Sequence, residues 1–221
     1  MLIQYPFITF CIVSLFLSAA TDAGADKAMI DALNAGGYVL LVRHAFAPGQ
    51  GDPIHFKIGD CATQRNLDDR GRAQARAIGS RLRAGGIASA RVYSSQWCRS
   101  RETAELIALG PVTELPALNS FFQQPKLSET TLAAMKAFLA QQPPDGELIL
   151  LVTHFVNISG LAGITVSSGD GVVLQLTGRG DYRVVGRLAF DPNERAWLVV
   201  DRFKAKSVQS KARHALFMMR L

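Results

Sequence analysis

Tyr38-Val39-Leu40-Leu41-Val42 is an unbroken apolar run with Gly36-Gly37 before it and Pro48-Gly49 shortly after it. A run of that length between turn residues predicts a strand buried on both faces, as in a sheet covered on both sides by helices. It ends in Arg43 and His44. One is a permanent planar cation; the other carries a ring nitrogen that can be base or nucleophile near neutral pH. A fully buried strand cannot carry either without a reason, whereas the carboxyl end of a strand in an open α/β sheet is where ligands bind. Adjacent side chains on a strand point to opposite faces, so both reach one pocket only if the strand bends or stops there.

The pattern occurs a second time. Glu147 to Thr153 (ELILLVT) is another buried-strand run, and His154 follows it at once. Two of the four histidines in the chain therefore stand at strand ends. Around these strands the periodicity predicts helices over Asp26 to Asn34, Asp69 to Ala84, Ser128 to Gln141 and Phe155 to Ala162, and one capped by Ser95 that runs to about Leu109. Further strands are predicted over Ala90 to Ser94, Pro111 to Leu115, Val172 to Leu176, Tyr182 to Phe190 and Ala196 to Asp201. Turns are expected at Gly178-Arg179-Gly180 and Asp191-Pro192-Asn193. The alternation of strands and helices is that of an α/β domain.

The 221 residues suffice for one domain with a substantial core, and at 48% hydrophobic and 19% charged they are ordinary globular material. The formal charge is +6, with a pI near 9.5. That excess reads as general solubility or, alternatively, as a field that draws anionic substrates. No cluster of Lys and Arg is dense enough for a nucleic-acid surface, so no nucleic-acid partner is expected. Phe7 to Ala20 has the length of a secretory h-region, shorter than a membrane span, and small residues follow it. Residues 1–25 are expected to be a cleaved signal peptide, leaving no stable membrane span and a periplasmic or secreted chain. Export would leave Cys61 and Cys98 in an oxidising compartment, where a pair reads as a disulfide; two buried thiols or a catalytic Cys are the alternatives. The domain is expected over residues 26–203, with a basic tail of unassigned structure over 204–221.

Arg99 falls in the first turn of the helix after Ser94-Ser95, where backbone N–H groups and an arginine make an anion site. Ala45 to Arg65 has no periodicity and leaves the Arg43-His44 end, so it is expected to wall the pocket. His55 within it, like His214 in the tail, reads as solvated. Phe121 and Phe122 read as core or pocket wall. No Cys or His pair has zinc spacing, and there is neither a Gly-rich phosphate loop with Lys-Ser/Thr nor a Gly-x-Ser-x-Gly elbow. Arg43 and Arg99 can grip the oxygens of a phosphoryl group in pairs, and a neutral imidazole can attack its phosphorus. Such a site needs no metal and no cofactor.

Four segments resemble the histidine phosphatase superfamily, in its phosphoglycerate mutase-like branch 1. Leu41-Val42-Arg43-His44-Ala45 is similar to its Arg-His-Gly signature, with Ala45 in place of the usual Gly. Asn66-Leu67 through Gly71-Arg72-Ala73-Gln74-Ala75, Ser94-Ser95-Gln96-Trp97-Cys98-Arg99 with Glu102-Thr103-Ala104, and Val152-Thr153-His154 follow in the family's order. The resemblance implies a three-layer α/β/α sandwich with a mostly parallel mixed sheet. It implies a phosphorylated nucleophile at His44 and a phosphate pocket of Arg43, Arg99 and His154. The family's glutamate proton donor would fall in Leu118-Asn119-Ser120, which holds no acid. Asp170 is the first substitute and Asp60 the second. A missing acid favours leaving groups that depart unprotonated, such as aryl phosphates, anhydrides, acyl phosphates or phosphoramidates. The expectation is an exported phosphatase acting on a small phosphorylated substrate, an envelope sugar phosphate being one fit to its location. A phosphate-binding module without turnover and a phosphoglycerate mutase-like phosphotransferase are the rivals.

Overall fold

The two runs that end in histidine become neighbouring parallel strands in the computed structural model, which describes residues 26–178 and 180–190. They are β1 (Tyr38–Arg43) and β4 (Ile149–Thr153), joined in register from Val39 opposite Ile149 to Arg43 opposite Thr153. With β2 (Arg91–Ser94), β3 (Val112–Glu114), β5 (Gly171–Gly178) and β6 (Asp181–Leu188) they make one sheet in the order β3-β2-β4-β1-β5-β6. The first four strands in that order are parallel; β5 runs antiparallel to β1, and β6 antiparallel to β5. The strand expected over 196–201, the turn at 191–193, the leader segment and the tail lie outside the described residues.

Alternation along the central strands divides the core in two. Leu40, Val42, Leu150 and Val152 pack against Ile30 and Leu33 of helix α1 (residues 26–33), Ile78 and Leu82 of α2 (Asp69–Ala84), and Ile107 of α3 (Cys98–Ile107). Val39, Leu41, Ile149 and Leu151 face the other way, onto Met135 and Leu139 of α4 (Ser128–Ala140) and Ile158 and Leu161 of α5 (Phe155–Ala162). The result is a three-layer α/β/α sandwich whose central strands are apolar on both faces because both faces are covered.

Helix α2 starts where Asp68 accepts a hydrogen bond from the Gly71 N–H, as an N-cap should. It lies so close to α3 that a Cβ at Gly79 would stand 2.0 Å from the Ile107 carbonyl oxygen. In an open helix Gly→Ala stabilises by about 1 kcal/mol. Here the neighbour is backbone and cannot swing aside, so Gly79→Ala is expected to destabilise by about 1–3 kcal/mol. Chemical denaturation measures it, and an unchanged or raised midpoint would refute the close packing.

Candidate active site

The alternation continues past the strand ends and distributes the polar side chains. Arg43 falls on the α4/α5 side, where its Nη1 donates to the Val166 carbonyl (3.1 Å) and its guanidinium lies 5.3 Å from the centre of the Phe155 ring. His44 falls on the α3 side, where Arg99 Nε donates to its Nε2 (3.2 Å). On β4, Thr153 turns to the Leu118 carbonyl (2.7 Å), and His154 turns to Ser95 Oγ (2.9 Å) and Ser100 Oγ (3.4 Å). His44 donates its backbone N–H to Thr153 (2.9 Å), and the two imidazole centres stand 5.4 Å apart. Strand β1 stops rather than bends: the cleft lies across the carboxyl edge of the sheet, where side chains from both faces reach it. That cleft, of about 390 Å³, is lined by Arg43, His44, Arg99 and His154 together.

The tautomer of His44 follows from its contacts. Nδ1 lies 2.8 Å from the Ala45 carbonyl, which can only accept, so Nδ1 carries the proton and Nε2 presents a lone pair to the cleft. Burial, reinforced by the positive charge of Arg99, holds this imidazole well below its usual pKa and therefore neutral. His154 is depressed in the same way, first by burial and then by His44 and the nearby guanidinium groups. The backbone N–H of Ala45 is anchored on Thr103 of α3 (3.0 Å), which fixes the peptide that orients His44.

Two further charged residues line the cleft, and sequence reasoning assigned a role to neither. Arg65 donates through Nε to the Gly51 carbonyl (2.8 Å) and through Nη1 to that of Ala47 (2.6 Å). Burial and then the charge of Arg99 pull its pKa down to about 10, so it remains a cation. Asp52, its side chain only 2% exposed, accepts Arg99 Nη1 (2.8 Å) and Nη2 (3.1 Å), the Trp97 indole N–H (2.9 Å) and the Arg65 backbone N–H (3.1 Å). Burial alone pushes this carboxyl up, but the bonds and charge of Arg99, with the other two donors, hold it below the usual carboxylate range. Both residues lie in the 45–65 loop expected as a pocket wall, and nothing in that loop's pattern singles them out.

Other expectations meet a different arrangement. Helix α3 begins at Cys98 with Trp97 as a cap that makes no side-chain bond, not at Ser95. The Ser95 hydroxyl is turned to His154, and the Cys98 N–H is taken by Gln64 Oε1 (3.0 Å), so the Arg99 side chain faces the cleft in place of a serine-capped backbone. Asp170, expected as a proton donor, is buried behind the site. Its carboxylate pairs with Arg187 and accepts the Phe190 N–H (3.0 Å), and it does not line the cleft. Its position at the entrance to β5 points the carboxylate at β6, and only its backbone carbonyl touches β1, accepting the Arg43 N–H (3.0 Å). Asp60 is exposed, caps the Ala62 N–H (3.2 Å) and is also off the cleft, as is exposed His55. Ser120 and Phe122 line the cleft; Phe121 does not. Cys61 and Cys98 are disulfide-bonded with Cα atoms 5.7 Å apart, fastening the loop to the residue before Arg99.

Fold and site together define a three-layer α/β protein with a cationic, two-histidine cleft at the sheet's carboxyl edge. Residues 39–122 match the family model of the histidine phosphatase superfamily (branch 1). A mitochondrial serine/threonine-protein phosphatase, Pgam5 of Drosophila virilis, is 32% identical over 110 residues, which are 49% of this chain and 32% of the relative. The chain thus spans about a third of the length of the curated relatives it matches. Among solved structures, the protein histidine phosphatase SixA complexed with tungstate superposes with a TM-score of 0.51 at 17% identity, over 69% of this chain and 97% of that one. A mycobacterial glucosyl-3-phosphoglycerate phosphatase with VO3 gives 0.51 at 16%, over 68% and 98%.

Two measurements test this geometry. The folded imidazoles resist protonation while unfolded ones take protons below about pH 6.5, so the unfolded state binds more protons as pH falls. The unliganded protein should therefore lose stability between pH 7 and 5, by up to about 1.4 kcal/mol per pH unit for each imidazole. Asp52, whose pKa is depressed, loses its contribution only at more acid pH. Denaturation across that range should show a shallower slope for His44→Ala; an equal slope would refute the buried neutral ring. The disulfide encloses a loop with a sequence separation of 37. The double change Cys61→Ser and Cys98→Ser should cost about 3–4 kcal/mol by the chain-entropy relation, read from denaturant midpoints without reductant.

Proposed function

We propose that this chain is a phosphatase that works through a phosphohistidine on His44. The observation that carries the reading is the Nε2 lone pair of a neutral His44, held in a cleft with three guanidinium groups. Nε2 attacks phosphorus in line, the N–P bond forms, and the bond to the leaving group breaks with its electron pair on the departing atom. The Nδ1–H···O=C bond to Ala45 stabilises the positive charge the ring acquires. Arg43, Arg65 and Arg99 bind the equatorial oxygens, and His154 lies beside them within reach of the same group. Water then attacks phosphorus, releasing inorganic phosphate and restoring the lone pair. No step calls on a metal.

We read the substrate as a small phosphate compound whose leaving group departs without a proton donor. Ser120 stands in the loop where an acid was sought, and the one carboxylate lining the cleft among the described residues, Asp52, is saturated with donors. Aryl phosphates and phosphoramidates fit this best. The name of SixA, a protein histidine phosphatase, is consistent with a phosphoramidate. The Cys61–Cys98 bond supports an exported, oxidising location, and an envelope phosphate compound remains the reading of the physiological substrate.

Incubation of the wild type with an aryl phosphate and rapid quenching should trap acid-labile phosphate on His44, and His44→Ala should lose both the trapped phosphate and at least about 1,000-fold in turnover. Aryl esters should exceed alkyl esters in kcat/KM by about 100-fold or more, the usual worth of a general acid. Phosphate binding without turnover on either class would identify a binding module instead.

A further inference from the structure

Resting on that reading, we propose that Asp52 is a positioning residue. It grips the far end of the Arg99 guanidinium so that the edge carrying Nε–H faces the phosphorus attacked by His44.

A guanidinium has five N–H bonds in one plane. Asp52 takes one from each terminal nitrogen, and the Arg65 carbonyl takes a second from Nη1 (3.3 Å). What is left is the edge formed by Nε–H and the remaining hydrogen of Nη2. In the resting protein that edge points at the nucleophile, with Nε 3.2 Å from His44 Nε2. It is a two-donor fork suited to two oxygens of a phosphoryl group. Asp52 thus lies behind the guanidinium, not in the place of the phosphate.

The carboxylate is itself fixed. Each oxygen accepts two donors: Oδ1 from Arg99 and the Arg65 backbone, Oδ2 from Arg99 and Trp97. The Asp52 peptide is clamped by Gln123, whose side chain accepts the Asp52 N–H (2.8 Å) and donates to the Asp52 carbonyl (3.1 Å). Arg65, Trp97 and Arg99 thus converge on one carboxylate whose backbone Gln123 holds, and that carboxylate fixes one arginine. The same saturation argues against the obvious alternative, that this carboxyl is the proton donor. A proton placed on either oxygen would meet a donor already there.

The test compares 4-nitrophenyl phosphate with phenyl phosphate, whose leaving groups differ in basicity, in the mature chain with its disulfide intact. Asp52→Asn should lower kcat/KM about 100-fold on both esters, leaving their ratio within about twofold of wild type, and should raise the inhibition constant of tungstate about tenfold. In an Arg99→Ala background the same change should cost less than about twofold, because the arginine it serves is gone. Trp97→Phe, which removes one donor to Oδ2, should show a weaker loss with the same unchanged ester ratio, and it carries the test if Asp52→Asn does not fold. A loss confined to phenyl phosphate would make Asp52 the general acid and overturn the proposal. So would full additivity with Arg99→Ala, or unchanged kinetics in both variants. If the wild type hydrolyses neither ester, the phosphatase reading fails instead, and tungstate affinity in Asp52→Asn, measured by thermal shift, still reports whether Arg99 has lost its orientation.

Discussion

The parallel register of β1 against β4 decides where both histidines go. Arg43 opposite Thr153, closed by the bond from the His44 N–H to the Thr153 carbonyl, brings the next residue of each strand to the same level on the same side of the sheet. A slip of one residue in β4 would send His154 to the α4/α5 side, away from Ser95 and Ser100. The register is itself fixed by burial. Leu40, Val42, Leu150 and Val152 fill one core while Val39, Leu41, Ile149 and Leu151 fill the other. The packing of eight aliphatic side chains thus positions two polar ones, and the site inherits the rigidity of the sheet.

A second constraint is electrostatic. A neutral His44 is needed if Nε2 is to attack, and the cleft keeps it neutral by burying it beside cations. Those cations repel one another. Arg99 is only 3% exposed, and burial lowers its pKa, which its pairing with Asp52 opposes. A buried guanidinium without a partner is costly, so the carboxylate that orients Arg99 also makes its burial tolerable. Besides the Asp52–Arg99 pair itself, the loop bearing Asp52 is tied to α3 through Cys61–Cys98 and through Gln64, which bonds both Lys57 in the loop and Cys98 in the helix. Orientation of Arg99 is thereby exchanged for loop entropy that the covalent tie has already removed.

The sandwich was legible because its signals are local. The apolar runs of β1 and β4 carry no polar interruption, α2 begins after Asp68 and ends at Gly85, and both histidines follow their strands directly. The four-residue set Arg43, His44, Arg99 and His154 could be read for the same reason, since each stands at an element end. What escaped depends on pairing across the fold. Asp52 and Arg99 are 47 residues apart, and a lone Asp in an aperiodic loop gives no sign of which arginine it will meet. Ser95 misled for the converse reason. Its capping propensity is real, but a buried imidazole competes for the hydroxyl and wins, and the helix starts three residues later. Asp170 follows β4 and α5 at a plausible distance, yet the pairing of β5 with β6 turns its carboxylate to Arg187.

If the cleft turns over a phosphate compound, as proposed, its charge bears on turnover as well as on binding. Arg43, Arg65 and Arg99 less the carboxylate of Asp52 leave a net charge of two positive units while both imidazoles are neutral. That matches a phosphate dianion without exceeding it. A third uncompensated cation would tighten substrate and inorganic phosphate alike, and uniform binding of that kind lowers KM without raising kcat. What raises kcat is attraction that grows as charge moves onto the equatorial oxygens, and this depends on direction more than on total charge. An arginine held at its far end can meet that growth without first reorganising. On this argument a carboxylate behind the phosphate site is a condition for fast release as well as fast attack, even though it opposes the first electrostatic attraction of the substrate.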